Sequence, residues 1–220
     1  MNKTVIFTLS FLPLLALATD QNQTSLKGSD LISTDVGAIY TYVITDSKDS
    51  SKTVNDYQLI VKSCNKDKTE CIYQTKPFSN DESYSGETEM MYEIKDGAVY
   101  FGSSKARDED GSLRSVDLKL QELFPKHIIL NKVDKIDNTD EMSHTTGTSI
   151  ITDVIPEINI NGNTYKNCIR MDNNVTQCFN KDHGNTCNHI IDYEIYCKGI
   201  GLVTENVNGD TLLLEKISKK

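Results

Sequence analysis

Six cysteines are the residues in this 220-residue chain whose chemistry depends most on their compartment: Cys64, Cys71, Cys168, Cys178, Cys187 and Cys197. In a reducing cytosol such thiols indicate metal binding or redox catalysis, whereas in an oxidising compartment an even number indicates disulfide bonds. The sequence has no Cys-x-x-Cys pair, which is the arrangement typical of thiol–disulfide catalysts. Disulfide bonding is therefore the first interpretation of these cysteines.

The cysteine spacing is compatible with pairs that cross between antiparallel strands. Cys64 and Cys71 flank a polar turn, so they can face each other across a hairpin. The midpoint of positions 168 and 197 coincides with that of 178 and 187, so one antiparallel register aligns both pairs on the same face. This nested scheme consists of the pairs Cys168–Cys197 and Cys178–Cys187.

Other pairings stay open at this point. Cys168 with Cys178 is a competitor if the chain turns at residues 172–174. Cys187 with Cys197 is disfavoured if 188–197 is a single strand, because its ends would be ~33 Å apart at ~3.3 Å per residue. Six cysteines allow about 15 connectivities, so the spacing narrows the choice without fixing it.

Metal binding is the alternative chemistry for the same region. Cys178, His183, Cys187 and His189 lie within twelve residues, and zinc accepts both residue types, but their spacing matches no familiar zinc finger. The acidic run 108–111 partly overlays a calcium-binding loop, yet a charged hairpin tip explains it better. We therefore predict no metal site and no cofactor.

The remaining titratable residues indicate no catalytic site. His127, His144, His183 and His189 are scattered, and no pair has the i, i+4 spacing of a helical metal or catalytic motif. The sequence also lacks a Gly-x-Ser-x-Gly nucleophile elbow. We predict no catalytic residues and a protein that is not an enzyme. The alternative is a secreted hydrolase whose site the sequence does not reveal.

The N-terminal residues have the three parts of a secretory signal peptide. A positive start at Lys3 precedes an apolar stretch and a small-x-small site that ends at Ala18, where we expect cleavage. The apolar stretch is shorter than the ~20 residues of a spanning helix, and no cysteine near the cleavage site could carry a lipid. We expect a soluble exported protein, periplasmic or extracellular, with no membrane span.

Composition limits the domain number and the partners. The net charge of −9 argues against nucleic-acid binding, which requires a basic surface. A chain of this length accommodates one domain or two small ones, and no linker divides it. We therefore predict a signal peptide over 1–18, a flexible lead-in over 19–35, and a single β-rich domain over 36–220.

Short β-type segments dominate the mature chain. Residues 38–44 are aromatic and β-branched, and residues 116–120 alternate between apolar and charged. Asp96-Gly97, Asn161-Gly162 and Asn208-Gly209 are strong hairpin signals. Roughly ten to twelve strands at eight-to-twelve-residue spacing, with no capped helical period, predict an all-β, antiparallel fold with little helix.

Three segments resemble a group of exported bacterial β-sheet proteins, the uncharacterised DUF3108-like and TapB-like families. The segments are 36–42, 161–169 and 193–203, of which the last is the most specific match. Tyr40 stands where the families usually have Trp, and Cys197 where Ala is common. The resemblance implies a curved sheet or half-barrel without catalytic residues. Gly199 and Gly201 are expected to permit a bend or bulge.

These observations favour a disulfide-stapled, non-enzymatic binding or envelope-associated module whose partner is a protein or an apolar ligand. An alternative is a carrier that holds an acyl chain in a half-barrel cavity, which predicts an apolar concavity. A protein-binding role instead predicts an exposed apolar patch or an open sheet edge. The hydrolase alternative predicts histidines and carboxylates with shifted pKa values in one cleft.

Overall fold

The computed structural model of the protein describes residues 24–45, 53–77, 88–107, 113–115, 120–139, 143–179 and 185–219. The signal peptide predicted over 1–18 lies outside these ranges, as do His183 and the acidic run 108–111. The prediction for strand character over 116–120 falls largely outside them as well.

The described chain folds into strands that join a single sheet. Their bounds are β1 (Ala38–Thr45), β2 (Thr53–Cys64), β3 (Glu70–Pro77), β4 (Thr88–Lys95), β5 (Ala98–Arg107), β6 (Leu113–Ser115), β7 (Gln121–Phe124), β8 (Val133–Thr139), β9 (Ser143–Ile160), β10 (Asn163–Phe179), β11 (Cys187–Cys197), β12 (Gly201–Val207) and β13 (Asp210–Lys219). Within the described residues, the one helical element is a 3-10 turn over Gly28–Leu31.

The sheet is antiparallel, curved and not closed into a barrel. The strand order is β6-β5-β4-β3-β2-β1-β13-β12-β11-β10-β9-β8, and β7 pairs with β5 beside this path. Almost every strand therefore pairs with its neighbour in sequence. The β1–β13 pair joins the two halves of the sheet, which run from β6 to β1 and from β13 to β8. The prediction of an all-β antiparallel fold with a curved sheet and little helix is confirmed.

Tight hairpins produce this meander. Asp96 and Gly97 have φ values of 51° and 87° and join β4 to β5. Two consecutive positive φ values define the hairpin turn whose twist matches the flanking strands, and Asn or Asp followed by Gly adopts it most readily. The hairpins at Asn161-Gly162 and Asn208-Gly209 have the same pattern, so the turn predictions are confirmed.

Residues 24–35, here called the strap, pack across one end of the sheet. Gly28 N–H donates to Pro125 O at 3.1 Å, and the Gly199 N–H donates to Asp30 O at 2.7 Å. Leu31 is fully buried, and Leu26 and Ile32 nearly so. The sequence suggests a flexible lead-in over 19–35, whereas its described part is a structured segment that connects both halves of the sheet.

Three disulfides connect neighbouring strands, and no cysteine in the described residues is free. Cys64–Cys71 joins β2 to β3, while the other two join β10 to β11 at positions that are directly opposite in register. The Cα–Cα separations are 4.0, 3.9 and 4.0 Å. The pairs between β10 and β11 are Cys168–Cys197 and Cys178–Cys187.

The sheet has two faces, because side chains alternate along each strand. We call the face onto which the strap packs the inner face. Five strands separate β4 from β11 in the sheet order, yet both contribute to one cavity on the inner face, so the sheet curves around it. No helix in the described residues is long and apolar enough to cross a membrane.

Candidate functional site

A small cleft opens on the inner face beside the strap. Its cavity has a volume of about 140 Å³. Leu31, Ile32 and Ser33 of the strap form one side, and Gly201 and Leu202 of β12 form another. We call this cavity the tyrosine cleft, because five tyrosines on five strands line it: Tyr42, Tyr57, Tyr73, Tyr92 and Tyr196.

The strand register brings these rings together. Tyr42 and Tyr57 are directly opposite on β1 and β2, and their rings stack with centroids 5.1 Å apart. Tyr73 and Tyr92 meet edge to face at 4.6 Å. Tyr196 comes from β11 and packs edge to face on Phe124 at 4.8 Å. Stacked and T-shaped pairs of this kind fix ring positions, so the cleft has a preformed aromatic wall.

The tyrosine hydroxyls differ in their hydrogen bonding. Tyr42 donates to Leu202 O at 2.8 Å, Tyr73 donates to Ser33 O, and Tyr196 shares a hydrogen bond with Glu194. Among the described residues, the hydroxyls of Tyr57 and Tyr92 have no hydrogen-bond partner. Both tyrosines are partly buried and line the cleft, so their hydroxyls are available to hydrogen-bond a ligand.

A row of carboxyl groups continues from the cleft along β11. Tyr196, Glu194 and Asp192 occupy alternate positions and thus lie on the inner face. Glu205 of β12 is directly opposite Glu194. Asn173 of β10 donates from Nδ2 to Asp192 Oδ1 at 2.6 Å and, less closely, to Glu194 Oε2 at 3.3 Å. We call Asp192, Glu194 and Glu205 the acidic row.

Burial and mutual repulsion disfavour the charged forms of the acidic row. Burial, with the nearby charges of Glu205 and Asp192, raises the pKa of Glu194 to about 8. Burial and Asp192 raise the pKa of Glu205, and burial is also the main cause of the raised pKa of Asp192. Burial and the charge of Glu194 raise the pKa of Tyr92 to about 12.

The residues singled out from the sequence lie around the cleft rather than in its aromatic wall. Gly199, in the turn between β11 and β12, has a φ of 71°, and Gly201, the first residue of β12, has a φ of 98°. A Cβ at Gly199 would meet nothing within 4 Å, so its backbone conformation is the reason for glycine there. Gly201 also lines the cavity.

The Cys178–Cys187 disulfide, His144 and His189 lie away from the cleft. Cys178–Cys187 is at the far ends of β10 and β11, where Cys187 is exposed. His144 is exposed and its Nε2 lies 2.8 Å from Asp137 Oδ1, while His189 is exposed beside Thr176. Among the described residues, no group of three His, Cys, Asp or Glu side chains is placed to hold a metal ion.

Sequence reasoning did not identify the cleft. Its residues are spread from position 31 to position 202, so only the strand order brings them together. One local signal was present: Asp192, Glu194 and Tyr196 alternate with apolar or aromatic residues along a β segment. An acidic stripe on the face of a strand that also carries buried residues indicates a polar site within the core.

Comparison with known proteins gives the fold. No protein-family model and no curated protein matches the chain. A crystal structure of a protein from Bacteroides fragilis, inferred to be exported and with a YmcC-like fold, is similar with a TM-score of 0.57 and 11% identity, over 86% of this chain and 99% of that chain. An inferred lipoprotein from Parabacteroides distasonis is similar with a TM-score of 0.59 and 10% identity, over 89% and 100%.

Proposed function

We propose that this is an exported, non-enzymatic binding protein that holds a ring-sized group of a small molecule in the tyrosine cleft. The observation that carries the proposal is the preformed aromatic cavity, in which the hydroxyls of Tyr57 and Tyr92 lack partners among the described residues. Ligand sites are typically concave, mostly apolar and provided with a few polar groups that orient the ligand.

The size of the cavity limits the ligand. An apolar cavity of about 150 Å³ holds a benzene ring, and the tyrosine cleft has about 140 Å³. Pockets that enclose a whole drug-sized ligand measure roughly 300–1,000 Å³. This cleft is therefore too small to enclose an acyl chain, which disfavours it as the site of an acyl-chain carrier. The rest of the ligand would extend along the inner face.

Export is supported by three features. The sequence over residues 1–18 has the pattern of a signal peptide, although the structure does not describe it. All six cysteines form disulfides, which persist in oxidising compartments. The two similar folds belong to proteins inferred to be exported or lipid-linked. The DUF3108-like and TapB-like relationship is a narrower proposal, supported by the Gly199–Gly201 hairpin.

The acidic row favours a hydrolase as the alternative function, because residues with shifted pKa values cluster at catalytic sites. A hydrolase needs a group that activates water or a nucleophile, and the three described histidines lie outside the cleft. Glu194, whose pKa is raised to about 8 mainly by burial, is mostly protonated at neutral pH, which weakens it as a nucleophile. A binding site explains the same features and needs no group that activates water or a nucleophile.

Two neighbouring methionines on β4 provide a matched test. Met90 lines the cleft, whereas Met91 is the next residue and points to the outer face. Both are partly buried, and the chain has no tryptophan of its own. Met90→Trp would fill the cleft, while Met91→Trp adds the same bulk on the other side of the sheet.

The measurement is native mass spectrometry of both variants and the wild type, each purified without denaturation from cells that export them. We expect a co-purifying small molecule in the wild type and in Met91→Trp, and its loss in Met90→Trp. Equal retention by both variants would place the ligand elsewhere, and a ligand-free wild type would contradict the proposed function.

A further inference from the structure

The acidic row destabilises the folded sheet, so folding stability by itself does not explain it. Glu194 and Glu205 are directly opposite on adjacent strands, where like charges destabilise a sheet. Asp192 precedes Glu194 by two residues and lies on the same face. Within the described chain, no lysine, arginine or histidine forms an ion pair with these three carboxyl groups. The nearest arginine along β10, Arg170, lies on the other face and is paired with Asp172.

The unpaired tyrosine hydroxyls are an independent feature of the same place. Tyr92 is partly buried and lines the cleft from β4, across from the β11 residue Tyr196, and its hydroxyl has no partner in the described chain. The hydroxyl of Tyr57 also has no partner in the described chain, and the charges of Glu205 and Glu194 help to raise its pKa. The cleft thus has hydroxyls without partners, and the neighbouring acidic row has carboxyl groups without counterions. A polar, positively charged group could hydrogen-bond to the first and pair with the second.

We propose that the ligand of the tyrosine cleft is an organic ammonium compound, with its ring in the cavity and its ammonium group between Glu194 and Glu205. This inference rests on the proposed function and adds the chemical class of the ligand. Aromatic rings attract organic cations over their faces, and carboxylates accept hydrogen bonds from the ammonium protons. The tyrosine rings and the acidic row supply both kinds of contact on adjoining surfaces.

A metal ion fits these residues less well than an organic cation. Hard metal ions need several oxygen ligands that converge on one point. The described residues contain no group of three acidic or other ligating side chains with that placement. An ammonium group does not need such convergence, because it forms up to three separate hydrogen bonds and is favoured by the neighbouring aromatic rings.

Binding is coupled to proton release. The groups that face Glu194 are Asp192 and Tyr196 on its own strand, Glu205 on β12, Asn173 on β10, Tyr92 on β4 and Tyr57 on β2, and none of them is cationic. When the protonated amine enters, the Glu194 carboxyl loses its proton to solvent and pairs with the ammonium group. Affinity should therefore rise with pH up to about pH 8.

Three probes of similar size separate charge from shape. Phenethylammonium carries the ring and the cation, 2-phenylethanol is its neutral counterpart, and 3-phenylpropionate is an anion. Binding is measured by isothermal titration calorimetry and by two-dimensional NMR shifts on the full exported chain. We expect phenethylammonium to bind at least about tenfold more tightly than 2-phenylethanol, and 3-phenylpropionate to bind most weakly.

Isosteric variants locate the cation. Glu194→Gln and Glu205→Gln should each weaken phenethylammonium binding by about tenfold while leaving 2-phenylethanol binding unchanged. Glu215→Gln, an exposed position on β13, is the matched control and should change neither. Circular dichroism of each variant verifies that it is folded, and using two separate glutamine variants keeps the test valid if one does not fold.

The outcomes separate the two proposals. Equal binding of phenethylammonium and 2-phenylethanol, or stronger binding of 3-phenylpropionate, would overturn the ammonium inference and leave the cleft as a binding site. Binding of phenethylammonium that survives both glutamine substitutions would also overturn it. Failure of all three probes to bind overturns the ammonium inference, and it overturns the proposed function as well if the wild type also carries no co-purifying molecule.

Discussion

Replacing Glu194 by glutamine should stabilise the protein at alkaline pH. Glutamine has the same shape and retains hydrogen-bonding capacity toward Asn173 and Tyr196, but it carries no charge. Burial raises the pKa of Glu194 from 4.5 to about 8, mainly because the charged form loses its hydration and partly because Glu205 and Asp192 repel it. The native state therefore holds a proton that the unfolded chain has already released.

The sign and size of the effect follow from this difference in proton binding. Below about pH 4.5 both states are protonated and Glu194 imposes no cost. Between about pH 4.5 and about 8 the unfolded chain is ionised and the native state is not, so stability falls as pH rises. Each pH unit corresponds to about 1.4 kcal/mol, so the full interval gives about 5 kcal/mol, and local solvent relaxation reduces this to about 2–5 kcal/mol.

The assay is urea unfolding followed by far-UV circular dichroism near pH 4.5, 6.5 and 8.5. We expect Glu194→Gln and wild type to have similar free energies of unfolding at the lowest pH. At the highest pH the variant should be more stable by about 2–5 kcal/mol. Glu215→Gln, at an exposed position, should stay within about 0.5 kcal/mol of wild type throughout. Parallel stability profiles for wild type and Glu194→Gln would refute the reasoning about the acidic row.

Two further predictions concern the framework around the cleft. Tyr42→Phe leaves the partly buried Leu202 carbonyl without its donor and should lower the free energy of unfolding in urea by about 1–3 kcal/mol. Tyr57→Phe, which removes a hydroxyl that has no partner in the described chain, should lower it clearly less, and equal losses would contradict the hydrogen-bond assignment. Replacing both Cys168 and Cys197 by Ala should lower the free energy of unfolding by about 1 kcal/mol more than the same change at Cys178 and Cys187, because the first disulfide closes a loop with a sequence separation of 29 residues and the second one of 9. Mass shifts after alkylation, with and without reduction, verify that the remaining cysteines are oxidised. The reverse order of stability would contradict the assumption that the longer loop gives the larger stabilisation.

The hairpins and the sheet class were predictable because their signals are local. Asp96-Gly97 specifies a turn by its own backbone preferences, and alternating apolar residues specify which face of a strand is buried. The register of Cys168 with Cys197 follows from a geometric property of antiparallel pairing, in which positions that share a midpoint are opposite each other. These features need no information from distant parts of the chain.

Residues 131–147 are mostly polar and lack the apolar alternation that indicates a strand, yet they contain β8 and the start of β9. Strand prediction relies on one apolar face, and here β8 alternates between exposed and only partly buried residues at the edge of the sheet. Charged residues such as Lys135 are typical of edge strands, where they oppose pairing with another chain. Because β8 lies at the edge of the sheet, it lacks the buried apolar face from which a strand is predicted.

The strap and the cleft were beyond sequence reasoning for a different reason. Residues 24–35 are polar on average, and only contacts with distant positions such as Pro125 and Gly199 give them a fixed place. The tyrosine cleft likewise depends on curvature, which brings β4 close to β11 although five strands lie between them. Curvature is a property of the whole sheet, and no single segment specifies it.

The binding role of the tyrosine cleft is tested most directly by a crystal structure of the wild-type protein purified, without denaturation, from cells that export it. We expect difference electron density for a bound molecule that contacts the rings of Tyr57 and Tyr92 and reaches Glu194. A cleft that contains only ordered water, or that is filled by side chains of the protein itself, would contradict the account.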